Sequence, residues 1–256
     1  MNADTFDLAI LIGPLVAGAL VLATHVPLGQ YVLARGIIFI DLAIAQIAAL
    51  GVLAAQTAGL DADGWPLQAS AAAAAVVGAL VLYGLERRYA AIQEALIGTA
   101  FVLAAAAGIV LLAAHPQGGE HLRDLLAGQI LWVAPTQLLP VALLTAVLLI
   151  AWFVRRGAAT PLRFYLVFAL AVTASVQLVG VYLVFASLIL PALATRSVPT
   201  RTRILWGYII GGLGYIAGSV FSVMFDLPTG ATIVWTLALC AIGAAIAHRK
   251  ARATAA

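Results

Sequence analysis

Eight apolar stretches separated by short polar breaks set out this chain. They fall at about residues 8–26, 37–56, 67–85, 94–114, 136–154, 164–194, 204–225 and 232–247. Most are 17 residues or longer, enough for an α-helix to cross the roughly 30 Å hydrocarbon layer of a bilayer. The breaks carry turn and charge signals: residues 25–30 around Pro27 and Gly29, 61–64, 86–88, 155–157 and 226–230. This pattern predicts an all-α polytopic membrane protein with about eight transmembrane segments. It forms one membrane domain over residues 1–256.

One stretch breaks the simple count. Residues 164–194 would make a single helix about 46 Å long, too long for one span and short for two. Basic residues flank both ends, so the chain is expected to return to the side it came from. The sequence Gln177-Leu178-Val179-Gly180 is the natural place for the turn, as a broken or re-entrant helix. Such breaks are tolerated only where they line a cavity or are buried in protein. The alternative is one long tilted helix.

Composition agrees with the pattern. Of 256 residues, 64% are apolar and 9% charged, with a mean hydropathy of +1.12, which excludes an ordinary soluble domain. The +3 charge comes from twelve arginines and one lysine, Lys250, gathered at the ends of the apolar stretches. That placement marks cytoplasmic loops rather than a nucleic-acid surface. Residues 61–64, 115–124 and 226–230 are then external, the N-terminus starts outside, and the C-terminus ends inside. The single cysteine, Cys240, excludes disulfides and cysteine metal clusters. The first apolar stretch follows Asp4 and Asp7 with no basic residue, unlike a cleavable signal peptide, and is expected to stay as a helix.

Against this background one carboxylate stands out. Asp41 lies six residues after Arg35, about 9 Å deeper along a helix, inside the second apolar stretch. A charge there costs about 2.5–3.5 kcal/mol at a helix centre, so it faces the bundle interior or an aqueous path. Two readings stand. Asp41 either pairs with Arg35 or Arg201 and holds helices together, or it belongs to a substrate path or gate. His115, Glu120 and His121 form a second metal-capable group, but Pro116, Gly118 and Gly119 between them favour a solvated loop. Gly207-x-x-x-Gly211 and Gly214-x-x-x-Gly218 allow close helix approach, more often ordinary packing than a dimer face.

Enzyme signatures are missing. There is no Gly-x-x-x-x-Gly-Lys phosphate loop, no Gly-x-Ser-x-Gly elbow and no His-Glu-x-x-His, and no second intramembrane aspartate pairs with Asp41. A pore, a transporter or a membrane scaffold remains.

Several segments together resemble the membrane permease of metal-type ABC transporters, the family importing zinc, manganese or iron. They are Val32-Leu33-Ala34-Arg35-Gly36-Ile37-Ile38-Phe39-Ile40-Asp41, Gln93-Glu94-Ala95-Leu96-Ile97-Gly98 and Asp124-Leu125-Leu126-Ala127-Gly128-Gln129-Ile130-Leu131. The most specific are Val179-Gly180-Val181-Tyr182-Leu183-Val184-Phe185-Ala186-Ser187-Leu188-Ile189-Leu190-Pro191-Ala192 and Asp226-Leu227-Pro228-Thr229-Gly230-Ala231-Thr232-Ile233-Val234. The resemblance implies a homodimer in the bacterial inner membrane with the pathway between two copies. A separate cytoplasmic ATP-binding subunit would use the ATP, and a periplasmic or lipid-anchored metal-binding protein would deliver the ion. No cofactor is expected on this chain.

In that reading Asp41, Gln46, Gln177 and Gly180 are pathway candidates, and Asp41 is the candidate metal contact. Arg155, Arg156 and Arg163 are candidates for contact with the ATPase. Two departures from the family pattern matter. Where the family has a His four residues after the Asp, on the same helix face, this chain has Ala45. A lone carboxylate is a poorer ligand for a divalent transition metal than a His–carboxylate pair. The stretch expected to dock on the ATPase is also shortened, to residues 155–163. A rival reading is a stand-alone carrier or channel with Asp41 as a cation or proton relay; another is a non-transporting scaffold.

Overall fold

The structure is a computed structural model that describes residues 8–58, 65–112, 130–154 and 160–253. Every regular element among them is helical. In chain order the α-helices are α1 (Ile12–Arg35), α2 (Ile40–Thr57), α3 (Trp65–Tyr89), α4 (Gln93–Leu112), α5 (Pro135–Phe153), α6 (Pro161–Val179), α7 (Val181–Thr195), α8 (Thr200–Phe225) and α9 (Thr229–Ala253). A single 3-10 turn, Ala90–Ile92, joins α3 to α4.

The 164–194 stretch is two helices. They meet at Gly180, whose φ of 79° and ψ of 164° lie in a region that essentially only glycine occupies. The break sits at the heart of the fold. Phe164, Phe168, Val172 and Val179 of α6 are fully buried, as are Val184 and Leu188 of α7. Around them α6 packs on α3 and α5, α7 on α1 and α9, and α2 lies against both α3 and α4. The outer faces show the opposite pattern. Val110, Leu139, Val147, Leu205 and Leu239 are all well exposed, a belt that water would punish and lipid accepts.

One expected boundary moved. The polar break at residues 25–30 is not a break, because α1 runs through Pro27 to Arg35. Proline removes a helical N–H and strands the carbonyl four residues back. Here that carbonyl, of Ala23, accepts a hydrogen bond of 3.0 Å from the Tyr208 hydroxyl of α8, which keeps the helix intact. The real turn begins at the residue after Arg35. Gly36 in the left-handed region (φ 72°) lets its own N–H reach the Leu33 carbonyl, and lets the Ile37 N–H reach that of Val32, closing α1.

Small residues set the helix spacing. A Cβ at Gly207 or Gly211 of α8 would meet Val26 or Leu22 of α1, and one at Gly214 or Gly218 would meet Leu237 or Ile233 of α9. Both Gly-x-x-x-Gly pairs therefore pack inside the protomer, and neither presents a dimer face. The tightest approach is at Gly29, where a Cβ would run into the backbone carbonyl of Leu188 in α7. Backbone cannot swing aside as a side chain can. Gly29→Ala is therefore expected to cost about 1–3 kcal/mol, while Gly84→Ala, with open space around it, should be neutral or slightly stabilising. Thermal unfolding in detergent compares the two; equal melting would contradict the α1–α7 contact.

Candidate functional site

Asp41 occupies the first turn of α2, just beyond the α1–α2 turn. Three contacts hold that turn. Nη1 of Arg35 is 2.6 Å from Oε1 of Glu86 in α3, and the guanidinium lies 4.9 Å from the Tyr31 ring centre. The Phe39 N–H, at the N-cap of α2, donates to Oε1 of Glu94 in α4 at 3.2 Å. Nearby, Nε2 of Gln93 donates to the Tyr165 hydroxyl at 2.6 Å, tying α4 to α6. The turn that presents Asp41 is thus clasped by side chains from the adjoining ends of α3 and α4.

Asp41 itself takes no part in the clasp. Its side chain is 1% exposed, and neither carboxylate oxygen has a hydrogen-bond partner. Of the two cations that could neutralise it, Arg35 is engaged with Glu86, and no ion pair to Arg201 forms. The structural ion pair is the reading that fails. Its position at a helix N-terminus favours negative charge by only about 0.3–1 kcal/mol, well short of the cost of burying one. One turn further on, Ala45 is also buried at 1%, so the face that carries Asp41 is closed by packing in this conformation.

The other pathway candidates do not gather around Asp41. Gln46 is half-buried and lines an apolar cavity of about 830 Å³ between α2, α4, α7 and α9, with Phe101, Val181, Tyr182, Phe185 and Trp235. Gln177 is exposed and lines a different cavity, of about 480 Å³, between α3, α5 and α6. Gly180 is buried where the two cavities come nearest in sequence, with Leu178 on one wall and Val181 on the other. Asp41 lines neither cavity.

Of the candidates for ATPase contact, Arg155 and Arg156 lie outside the described residues, as do His115, Glu120 and His121. Arg163 is half-buried in the first turn of α6. Among the described residues no three His, Cys, Asp or Glu side chains stand together as a metal site.

One polar residue escaped the sequence reading. His25, taken as part of a polar break, is fully buried within α1. Its Nδ1 lies 2.9 Å from the Val21 carbonyl and 3.0 Å from the Thr24 hydroxyl, which makes Nδ1 the donor to that carbonyl; Nε2 has no partner. The only sequence signal was a histidine beside a threonine in an apolar stretch, and the neighbouring Pro27 masked it.

The absence of a counter-ion has a thermodynamic consequence. Breaking a buried pair strands its partner at a cost of several kcal/mol, whereas Asp41 has no partner to strand. Asp41→Asn is therefore expected to melt no lower than the parent. Glu86→Gln, which uncouples Arg35 in a partly solvated setting, should cost up to about 1 kcal/mol. Thermal unfolding of both variants in detergent checks this. A fall of several degrees for Asp41→Asn would reveal a charge partner.

Comparison with known proteins fits this architecture. The chain matches the ABC 3 transport family over residues 7–160 and 158–248. It is 26% identical over 228 residues to the manganese transport system membrane protein MntC of Halalkalibacterium halodurans, covering 81% of this chain and 76% of the relative. Its fold is that of PsaBC from Streptococcus pneumoniae, solved in complex with a Fab. That likeness has a TM-score of 0.70 and 22% identity, and covers 92% of this chain and 89% of the other. The chain belongs to the ABC 3 transport family and is a multi-pass permease of the bacterial inner membrane.

Proposed function

We propose that this permease imports a divalent metal ion, manganese or zinc, and that it works as a homodimer with the pathway between two copies. A cytoplasmic ATP-binding subunit drives it, and a periplasmic or lipid-anchored metal-binding protein delivers the ion. The observation that carries the reading is Asp41: a carboxylate buried at 1% exposure in an apolar helix with no partner among the described residues. An intramembrane carboxylate left without a structural role is a group held for a passing cation. Its only function within the protomer would otherwise be a cost.

Other features support parts of this reading. The relative named above is a manganese transport protein. The apolar groove of α2, α4, α7 and α9 leaves Tyr182 57% and Trp235 72% exposed, surface that a second copy would cover. The break at Gly180 places two helix ends at the centre of the bundle, as carriers of ions through membranes often do. In this account α7 returns to the cytoplasmic side, and Gln46, Gln177 and Gly180 flank the route. Arg155, Arg156 and Arg163 contact the ATPase through the short α5–α6 connection.

The sequence carries no phosphate loop, so ATP hydrolysis in this reading falls to another polypeptide. Vesicles containing the chain, its ATPase and ATP should accumulate radioactive manganese; vesicles lacking either the ATPase or ATP should not. Accumulation by the chain alone, driven by an ion gradient, would instead establish a stand-alone carrier with Asp41 as the relay.

A further inference from the structure

The cavity of about 480 Å³ has a wall chemistry unlike the rest of the bundle. Gln68 of α3, Gln137 of α5 and Gln177 of α6 converge on it, together with Thr136 and Thr173. Three carboxamides in one cavity are unusual in a chain that is 64% apolar, and among the described residues no acidic or basic side chain lines it. These residues occupy the first turns of α3 and α5 and the last turns of α6, the ends away from Arg87, Arg88 and Arg163. By the distribution of basic residues that end is external. Exposed Trp65 stands at the mouth, at the depth where aromatic residues meet the membrane surface.

Backbone oxygens add to the side chains. Pro140 on the wall removes the N–H that would have bonded the Thr136 carbonyl, four residues earlier. At the α6–α7 break the helical ladder resumes only with the Gly180 carbonyl, which accepts from Val184 at 3.1 Å. The carbonyls of Gln177, Leu178 and Val179 are skipped, in the turn that carries Gln177. Carbonyls without donors at membrane depth need water or an ion. Thr173 donates its hydroxyl to the Ala169 carbonyl at 2.8 Å, so it offers the cavity only a lone pair.

We propose that this cavity is an external vestibule in each protomer that receives the divalent cation with its water shell still in place and passes it toward the Gly180 break. The inference rests on the importer reading above. Neutral amide, hydroxyl and carbonyl oxygens have no charge with which to strip a divalent ion, but they hydrogen-bond to its coordinated waters. Weak holding suits a station on a path, because an ion that binds tightly does not leave. Dehydration is then left to the charged group deeper in the protein, Asp41.

The test uses Gln177→Cys and Gln68→Cys in a Cys240→Ala chain, assembled with its ATPase in sealed vesicles oriented with the external face outward. A membrane-impermeant cationic thiol reagent should label both cysteines from outside, and manganese ions should slow the labelling where sodium at equal ionic strength does not. In the same system Gln177→Leu should lower uptake at sub-saturating manganese by about fivefold, the scale of one hydrogen bond. Absence of labelling, or labelling that manganese does not slow, overturns the vestibule. Because labelling is read without transport, it fails or succeeds independently of the importer reading, which falls only if the parent chain does not take up manganese with ATP.

Discussion

The hydrocarbon layer supplies no hydrogen bonds, so every polar group in this bundle must find its partner within the protein. Most do, by the shortest available route. Thr173, Ser187 and Thr195 return their hydroxyls to carbonyls four residues back, and Thr236 reaches across to the Gly214 carbonyl of α8. Tyr208 answers the carbonyl that Pro27 strands, and Gln30 of α1 donates to Thr195 of α7 at 2.8 Å. Against such satisfaction the exceptions carry information. Among the described residues they include the Asp41 carboxylate, Nε2 of His25, the second carboxylate oxygens of Glu86 and Glu94, the Ser219 hydroxyl and the carbonyls skipped at Gly180. A sequence that meets its polar demands elsewhere and leaves them open here is one whose open groups have work outside the resting fold.

The sites also divide the labour of the fold. Close contact at Gly29 and along the glycines of α8 fixes α1, α7, α8 and α9 as one packed unit. The clasp of Arg35 on Glu86 and of Glu94 on the Phe39 N–H ties the α1–α2 turn to α3 and α4. Asp41 lies in the first turn of α2, the helix that follows the clasped turn and packs on α3 and α4. The clasp is built of partly solvated polar contacts, each worth little on its own.

Much of the fold was legible because lipid imposes a coarse code: long apolar stretches and basic loops. The break at Gly180 could be read from length alone, since 31 residues fit neither one span nor two. Pro27 misled because proline ordinarily ends a helix, and the Tyr208 hydroxyl that rescues it lies 181 residues further on in α8. At Asp41 sequence proximity left two readings open. Arg35 is the nearest cation along the chain, yet α1 turns so that its guanidinium meets Glu86 of α3. Spacing along one helix says which face a residue occupies but not which helix faces it. Gln46 and Gln177, both pathway candidates from the sequence, line separate cavities, which spacing along the chain could not show.

The central claim is that the Asp41 carboxylate serves the ion in transit. The direct measurement is ATP-driven manganese uptake by Asp41→Asn and Asp41→Glu, at equal amounts of assembled transporter. The account predicts that the amide, which keeps the shape and loses the charge, abolishes uptake, and that the longer carboxylate retains part of it. Uptake by Asp41→Asn at the parental rate would contradict it.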